Sequence, residues 1–284
     1  LIEPVGDNQF LENNIKLTQK KFFELISRQT SLCRIYFWRK KKTKELLYLP
    51  VRDKDVSCLN CYTIPFTFKN NVNKIFKLLK KKFSNEVTLK KKSNHLIDFF
   101  EFFKKKTNKK IYVERTGGAL HHVNKMIKFY PNAKFILNLR DPIETSISMR
   151  NYPFFRMYEQ MKKNKNLKKW NFTQKKNYET YGKMLNGWYK IFFYNKKKIK
   201  KNNFFYYSYE DLVSKPKKTL TSLILFILNK KKPNEYLVNF VNKQIKMIRI
   251  NSIKFNNLNK YEKVKLKKVL KPTFQNINKL INKD

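Results

Sequence analysis

Arg140-Asp141-Pro142, followed by Ser148, is the grouping in this sequence best suited to chemistry. Arg140 directly follows Lys134–Leu139, where Phe135, Ile136, Leu137 and Leu139 form the nearly continuous apolar run of a buried parallel strand. In open α/β sheets, ligands sit beyond the carboxyl ends of the strands. Asp141 is a good N-cap, Pro142 fits the first helical position, and Glu144 stands where a capping box wants an acid. A helix is therefore expected from Pro142. Its first-turn N–H groups and its dipole favour an anion. Ser148 falls about two turns in, roughly below Arg140. A guanidinium fork and a hydroxyl placed this way can grip one phosphate. The competing arrangement is an Arg–carboxylate surface pair beside a solvent-facing serine.

A second cluster lies upstream. Glu114-Arg115-Thr116-Gly117-Gly118 holds two of only five glycines in the chain. Adjacent glycines permit positive φ and close approach of backbone to a ligand. Glu114 is a candidate base, Arg115 a candidate anion clamp and Thr116 a candidate hydrogen-bond donor. The plain alternative is a strand-to-helix loop. His121 and His122 follow in the first turn of the next helix, one expected to face the sheet edge and the other solvent. A neutral imidazole near pH 7 is a candidate general base, and a helix N-terminus helps keep it unprotonated. Ordinary packed or surface histidines are the alternative. Tyr206, Tyr207 and Tyr209 surround the end of another expected strand. Tyr207 reads as core, while Tyr209 is placed to lie against a base ring.

The elements that must hold these residues alternate. Ile111–Val113 reads as a short strand, Ala119–Tyr130 as an amphipathic helix, Pro131-Asn132 as a turn and Lys134–Leu139 as a buried strand. Helices are expected over Pro153–Lys163, Trp170–Lys197, Lys217–Leu228 and Asn234–Ile248, with a strand at Phe204–Tyr207. Upstream, Gln9–Ser27 and Val72–Phe83 have helical spacing, and Ser93 is expected to cap a helix through Phe103. Arg34–Trp38 and Leu46–Val51 read as short strands. Strands alternating with helices imply an α/β fold, a parallel sheet covered on both faces.

At 284 residues one domain over residues 1–284 is expected, with the best-supported core at 93–230 and a helical extension over 231–284. A hydrophobic content of 41%, with 15% aromatics, argues against disorder despite 30% charge. The formal charge of +45 alone suggests a polyanionic partner. Lysine far outnumbers arginine, and Asn, Ile, Phe and Tyr are abundant while Gly and Ala are scarce, a composition that AT-rich coding also produces. The lysine runs at 40–42, 80–82, 90–92, 104–106 and 196–198 are scattered and read as solvated edges. Three cysteines make a disulfide framework unexpected, and the single C-x-x-C of Cys58 and Cys61 supplies too few ligands for zinc. No apolar run is long enough to span a membrane.

Taken together these residues resemble the sulfotransferase family that uses 3′-phosphoadenosine-5′-phosphosulfate (PAPS). Glu114-Arg115-Thr116-Gly117 resembles the family's E-K-T-P segment. Tyr130-Pro131-Asn132-Ala133-Lys134-Phe135-Ile136, then Arg140-Asp141-Pro142 and Ser148, resembles its F-P-x-A-K-F-I-x-x-x-R-D-P stretch with a serine eight residues after the arginine. Ser208-Tyr209-Glu210-Asp211-Leu212, with Pro216, resembles its R-Y-E-D-L segment. The resemblance runs from about Ser93 to Leu228. It implies that Arg140 and Ser148 bind the 3′-phosphate, that Tyr209 lies against the adenine, and that the fold is a P-loop-NTPase-like sandwich. It further implies sulfuryl transfer from PAPS, without a metal, to a hydroxyl or amine of a carbohydrate or other small acceptor. No specific nucleic-acid partner is expected. The compartment expected is the cytoplasm, or alternatively the Golgi lumen behind an N-terminal anchor.

Two departures from the family pattern stand out. Its Gly-rich 5′-phosphosulfate loop does not occur in this sequence, and Ile2-Glu3-Pro4 resembles the segment found shortly downstream of that loop. A fragment beginning a few tens of residues late is therefore expected. Arg115 and Gly117 replace the family's Lys and Pro, and the histidine found near that point in cytosolic relatives is missing. Glu114, Arg115 and His121 are left as the catalytic candidates. Two other readings compete: a nucleic-acid or polyanion-binding protein driven by net charge, and a nucleotide-dependent kinase of similar fold. For the kinase no G-x-x-x-x-G-K-[ST] is present.

Overall fold

A computed structural model describes residues 15–27, 72–113, 119–151, 155, 177–248 and 258–282. The chain divides into two compact units, Leu1–Phe129 and Tyr130–Asp284. The expected strands at Arg34–Trp38 and Leu46–Val51, all three cysteines and the Glu114–Gly118 cluster lie outside the described residues.

In the first unit, β1 (Lys16–Thr18) pairs antiparallel with β2 (Leu89–Lys91), in register Leu17↔Lys90. Neither strand follows from the sequence pattern. Within the described part of the helix expected over Gln9–Ser27, residues 16–18 are strand and α1 (Gln19–Ser27) begins at Gln19, where the Thr18 hydroxyl accepts from the Lys21 N–H at 3.2 Å. Helices α2 (Val72–Lys82) and α3 (Lys92–Thr107) complete an aromatic core. Phe22, Phe83, Leu79, Leu96 and Phe99 are fully buried, with ring centroids 5.7 Å apart for Phe22–Phe83 and 6.3 Å for Phe83–Phe99. The Nε2 of buried His95 lies 2.8 Å from the Leu17 carbonyl oxygen, fastening α3 to β1.

Ser93 does not cap α3. Strand β2 runs straight into the helix, and the Lys92 N–H donates to the Ile15 carbonyl at 3.2 Å. Strand pairing thus satisfies a donor that a serine cap would otherwise serve, and no side chain caps the helix. Lys92, expected in a solvated run, is 6% exposed. Ile111–Val113 forms no strand and is exposed. Tyr112 instead stacks on Phe100 of α3, centroids 4.5 Å apart. A three-residue apolar run becomes a strand only where a partner strand is in register, and none is found for it among the described residues. Helix α4 (Ala119–Phe129) closes the unit's sequence.

In the second unit, β3 (Phe135–Leu139) and β4 (Phe204–Ser208) pair in parallel, from Phe135↔Phe204 to Leu139↔Ser208. The connection between them carries α5 (Pro142–Asn151) and α6 (Tyr178–Lys196). Of the helix expected over Trp170–Lys197, residues 170–176 lie outside the described residues, and α6 starts at Tyr178, where the Asn177 side chain caps it and accepts from the Thr180 N–H at 3.0 Å. The expected Pro153–Lys163 helix lies, but for Phe155, outside the described residues. After β4 come α7 (Tyr209–Ser214), α8 (Pro216–Leu228), α9 (Glu235–Ile245) and α10 (Lys260–Ile281). Helix α10 packs on α5 and α6 through buried Leu266, Leu270 and Ile277.

The class is mixed α/β as expected, but mostly helical. The described residues contain one parallel pair of strands rather than a broad sheet covered on both faces. Strand β3 is not the continuously buried strand its composition implies. Leu137 and Leu139 are buried, while Asn138 between them is exposed.

Candidate functional site

The parallel pairing of β3 and β4 decides what stands side by side. Leu139 is opposite Ser208, so the next residues, Arg140 and Tyr209, leave the carboxyl ends of neighbouring strands together. The Arg140 guanidinium carbon lies 4.6 Å from the centroid of the Tyr209 ring, a cation–π stack. Arg140 is half-buried and its Nη2 donates to the Glu144 carboxylate at 2.9 Å. Two of the three residues expected to bind a phosphoadenosine are thus in contact.

Helix α5 begins where the sequence says it should. The Asp141 carboxylate accepts from the Glu144 N–H at 2.8 Å, the bond of an N-cap. The other half of the expected capping box is not made by Glu144. That side chain turns to Arg140, and the Asp141 N–H donates instead to the Glu210 carboxylate at 3.0 Å. A charged guanidinium one turn away outcompetes a neutral backbone N–H for the carboxylate. Glu210 lies far away in sequence and arrives through the β3–β4 pairing.

Ser148 is half-buried on the same face of α5 as Glu144, four residues on. The neighbouring hydroxyls are occupied: Thr145 donates to the Asp141 carbonyl at 2.9 Å and Ser146 to the Pro142 carbonyl at 2.8 Å. Ser148 makes no such bond among the described residues. It lies about 9 Å along the helix axis from Pro142, so a ligand touching both Arg140 and Ser148 must lie along the helix.

Helix α7 is fixed as firmly. The Ser208 hydroxyl accepts from the Asp211 N–H at 2.9 Å and donates to the Asp211 carboxylate at 2.6 Å. Thr219 of α8 donates to the Asp211 carbonyl at 3.1 Å. Tyr189 of α6 is buried beside this turn. Burial pushes its phenol up to about 12, and the Glu210 carboxylate pushes it the same way.

Lys134 is a residue whose role sequence reading missed. Its ammonium donates to the Phe226 carbonyl at 2.5 Å and to the Ile227 carbonyl at 3.3 Å, and sits 5.0 Å from the Phe226 ring centroid. It serves the orphan carbonyls at the C-terminus of α8. The A-K-F-I pattern marks the residue, but nothing local says which helix end it reaches.

The catalytic candidates fare differently. Glu114 and Arg115, with Thr116, Gly117 and Gly118, lie outside the described residues. His121 and His122 are both on α4 in the first unit, their rings 4.8 Å apart and edge to face. His122 is buried, and burial, then His121 and Lys125, lower its pKa to about 4. His121 is half-buried, so neither imidazole is the freely solvated one expected. Among the described residues no cluster of His, Cys, Asp and Glu is suited to a metal ion, and no helix is long and apolar enough to cross a membrane.

The mixed α/β scaffold presents an arginine and a tyrosine at adjacent parallel strand ends, with a capped helix leading away. A model of the Sulfotransferase family matches residues 71–227, a little over half of the chain, and the protein belongs to that family. The match contains Arg140, Ser148 and Tyr209 and ends within α8. No curated protein and no solved structure matches the chain.

Proposed function

We propose that this sulfotransferase takes its sulfuryl group from PAPS and delivers it to a hydroxyl, or an amine, of a carbohydrate or other small acceptor. The observation that carries the reading is the Arg140–Tyr209 contact at the ends of β3 and β4. The donor set fits the phosphoadenosine end of such a co-substrate. Arg140 supplies a forked cation, and Ser148 a hydroxyl not already bonded within the helix. Tyr209 supplies an aromatic ring, one face of which Arg140 covers. The Glu144 carboxylate accepts from the Arg140 Nη2, so the guanidinium is oriented before an anion arrives.

PAPS, when bound, supplies an activated sulfuryl group whose leaving group is adenosine 3′,5′-bisphosphate. The new bond joins the acceptor oxygen or nitrogen to sulfur, and the bond from sulfur to the phosphate oxygen breaks. The acceptor proton passes to a base, for which Glu114 and His121 are the candidates, and Arg115 is the candidate anion clamp. Catalysis of this kind is mostly positioning and charge stabilisation. The reading also takes the fold as P-loop-NTPase-like.

The test is calorimetric titration with adenosine 3′,5′-bisphosphate. Arg140→Ala is expected to abolish measurable binding, and Ser148→Ala to weaken it by about tenfold, the loss of one bond to a charged group. Affinity unchanged in Arg140→Ala sinks the site as placed.

A second reading has its own observation. On α10, Lys267, Lys268 and Lys271 line an open groove of about 570 Å³ together with Ile143, Phe274, Gln275 and Asn278. A lysine-rimmed groove on a chain of net charge +45 suits a polyanion.

A further inference from the structure

Glu210 makes the bond that the local sequence assigns to Glu144. In a capping box the acid at the third helical position reaches back to the N–H of the cap residue. Here Glu144 occupies that position but is committed to Arg140 at 2.9 Å, and the Glu210 carboxylate accepts from the Asp141 N–H at 3.0 Å. That N–H belongs to the planar peptide that also contains the Arg140 carbonyl. Whatever holds it fixes the direction in which Arg140 leaves β3. Glu210 is itself well placed, as the second residue of α7, whose start is locked by the Ser208–Asp211 pair.

Resting on the reading of Arg140 as the phosphate-gripping residue, we propose that Glu210 is a positioning residue for that arginine. It completes the cap of α5 from the neighbouring strand, and in doing so leaves Glu144 free to hold the guanidinium at the phosphate seat. Without Glu210, the Asp141 N–H and Arg140 compete for the one remaining carboxylate. The guanidinium then shares or loses its Glu144 bond although no ligand contact has been removed. Glu210 touches no ligand in this scheme, so its effect is confined to the phosphate that Arg140 grips.

The experiment compares adenosine 3′,5′-bisphosphate with adenosine 5′-monophosphate, which lacks the 3′-phosphate, by titration into the full chain. Glu210→Ala is expected to weaken the bisphosphate about tenfold, as loss of a helix cap would, and to leave the monophosphate within about twofold. Glu210→Gln keeps a side-chain carbonyl that accepts from the Asp141 N–H, and is expected to restore most of the loss. Equal weakening of both nucleotides, or equal weakening by Ala and Gln, marks a general staple between strand ends and overturns the proposal. So does bisphosphate binding that Arg140→Ala abolishes but Glu210→Ala leaves intact, an outcome under which the phosphate site itself stands. Bisphosphate binding indifferent to Arg140→Ala removes the site and the proposal together. If Glu210→Ala does not fold, Glu210→Asp, one methylene too short for the bond, takes its place. The same selective loss supports the proposal, and wild-type affinity for both ligands overturns it.

Discussion

His122 shows how burial sets the chemistry of a single residue. Its ring is 5% exposed and packed edge to face on His121, and its pKa falls to about 4, chiefly from burial. A histidine depressed in the folded state binds its proton first in the unfolded state. Its contribution to stability is therefore complete above the unfolded value near 6.5 and lost as pH falls toward 4. Partial solvent access tempers the size, so a loss of about 1–2 kcal/mol is expected across that window. Unfolding free energies from urea titrations at pH 7 and pH 5 should differ by that amount, and His122→Leu should flatten the difference. An unchanged pH slope in His122→Leu would mean that His122 is not the group being titrated. The same burial disfavours His122 as a solvent-linked base.

At the scale of elements, α6 carries two glycines that the sequence cannot rank. A Cβ added at Gly182 would meet the Leu266 side chain of α10 at 2.6 Å, whereas one at Gly187 meets nothing within 4 Å. Gly182 is a packing requirement, because it lets α10 approach α6 where Leu266 and Leu270 are fully buried. Gly182→Ala is expected to lower stability by about 1–2 kcal/mol, overpacking offset in part by better helix propensity. Gly187→Ala should raise stability by about 0.5–1 kcal/mol. Thermal unfolding of the two variants decides it, and a gain at Gly182 would show that Leu266 simply swings away. Helix α10 lies beyond the family match, yet it supplies the surface that Gly182 fits.

Across the whole molecule, net charge offers an explanation of function that needs no site at all. The lysines are spread over both units, and the groove on α10 is one local concentration of them. Binding of heparin or single-stranded DNA through such a surface should weaken steeply with salt, by several decades between about 50 and 200 mM if six or more charges are neutralised. It should respond to Lys267→Glu with Lys271→Glu and be indifferent to Arg140→Ala. Adenosine 3′,5′-bisphosphate binding should show the opposite dependence. A polymer that competes with the bisphosphate and is lost with Arg140→Ala would merge the two readings into one anionic acceptor beside one nucleotide site.

Much of the candidate site was legible in the sequence because its signals are local. The cap at Asp141, the proline at the first helical position and the strand that delivers Arg140 act over a few residues, and α5 begins at Pro142 as those rules require. The Ser208 cap on the Asp211 N–H is equally local in origin, although in the sequence that segment stands out only as a resemblance to R-Y-E-D-L. What chain-local rules cannot give is which of two acceptable partners a side chain takes. Glu144 was free to close its own capping box or to pair with Arg140, and the choice fell to Glu210, which arrives only because β3 and β4 pair in parallel and in one particular register. The same reason explains the misses: β1 and β2 form because they find each other, and Ile111–Val113 stays out of a sheet because it finds no strand among the described residues. Hydrogen bonds within a turn are set by sequence spacing. Bonds between strands, and the competition for a carboxylate, are set by what the rest of the fold brings within 3 Å.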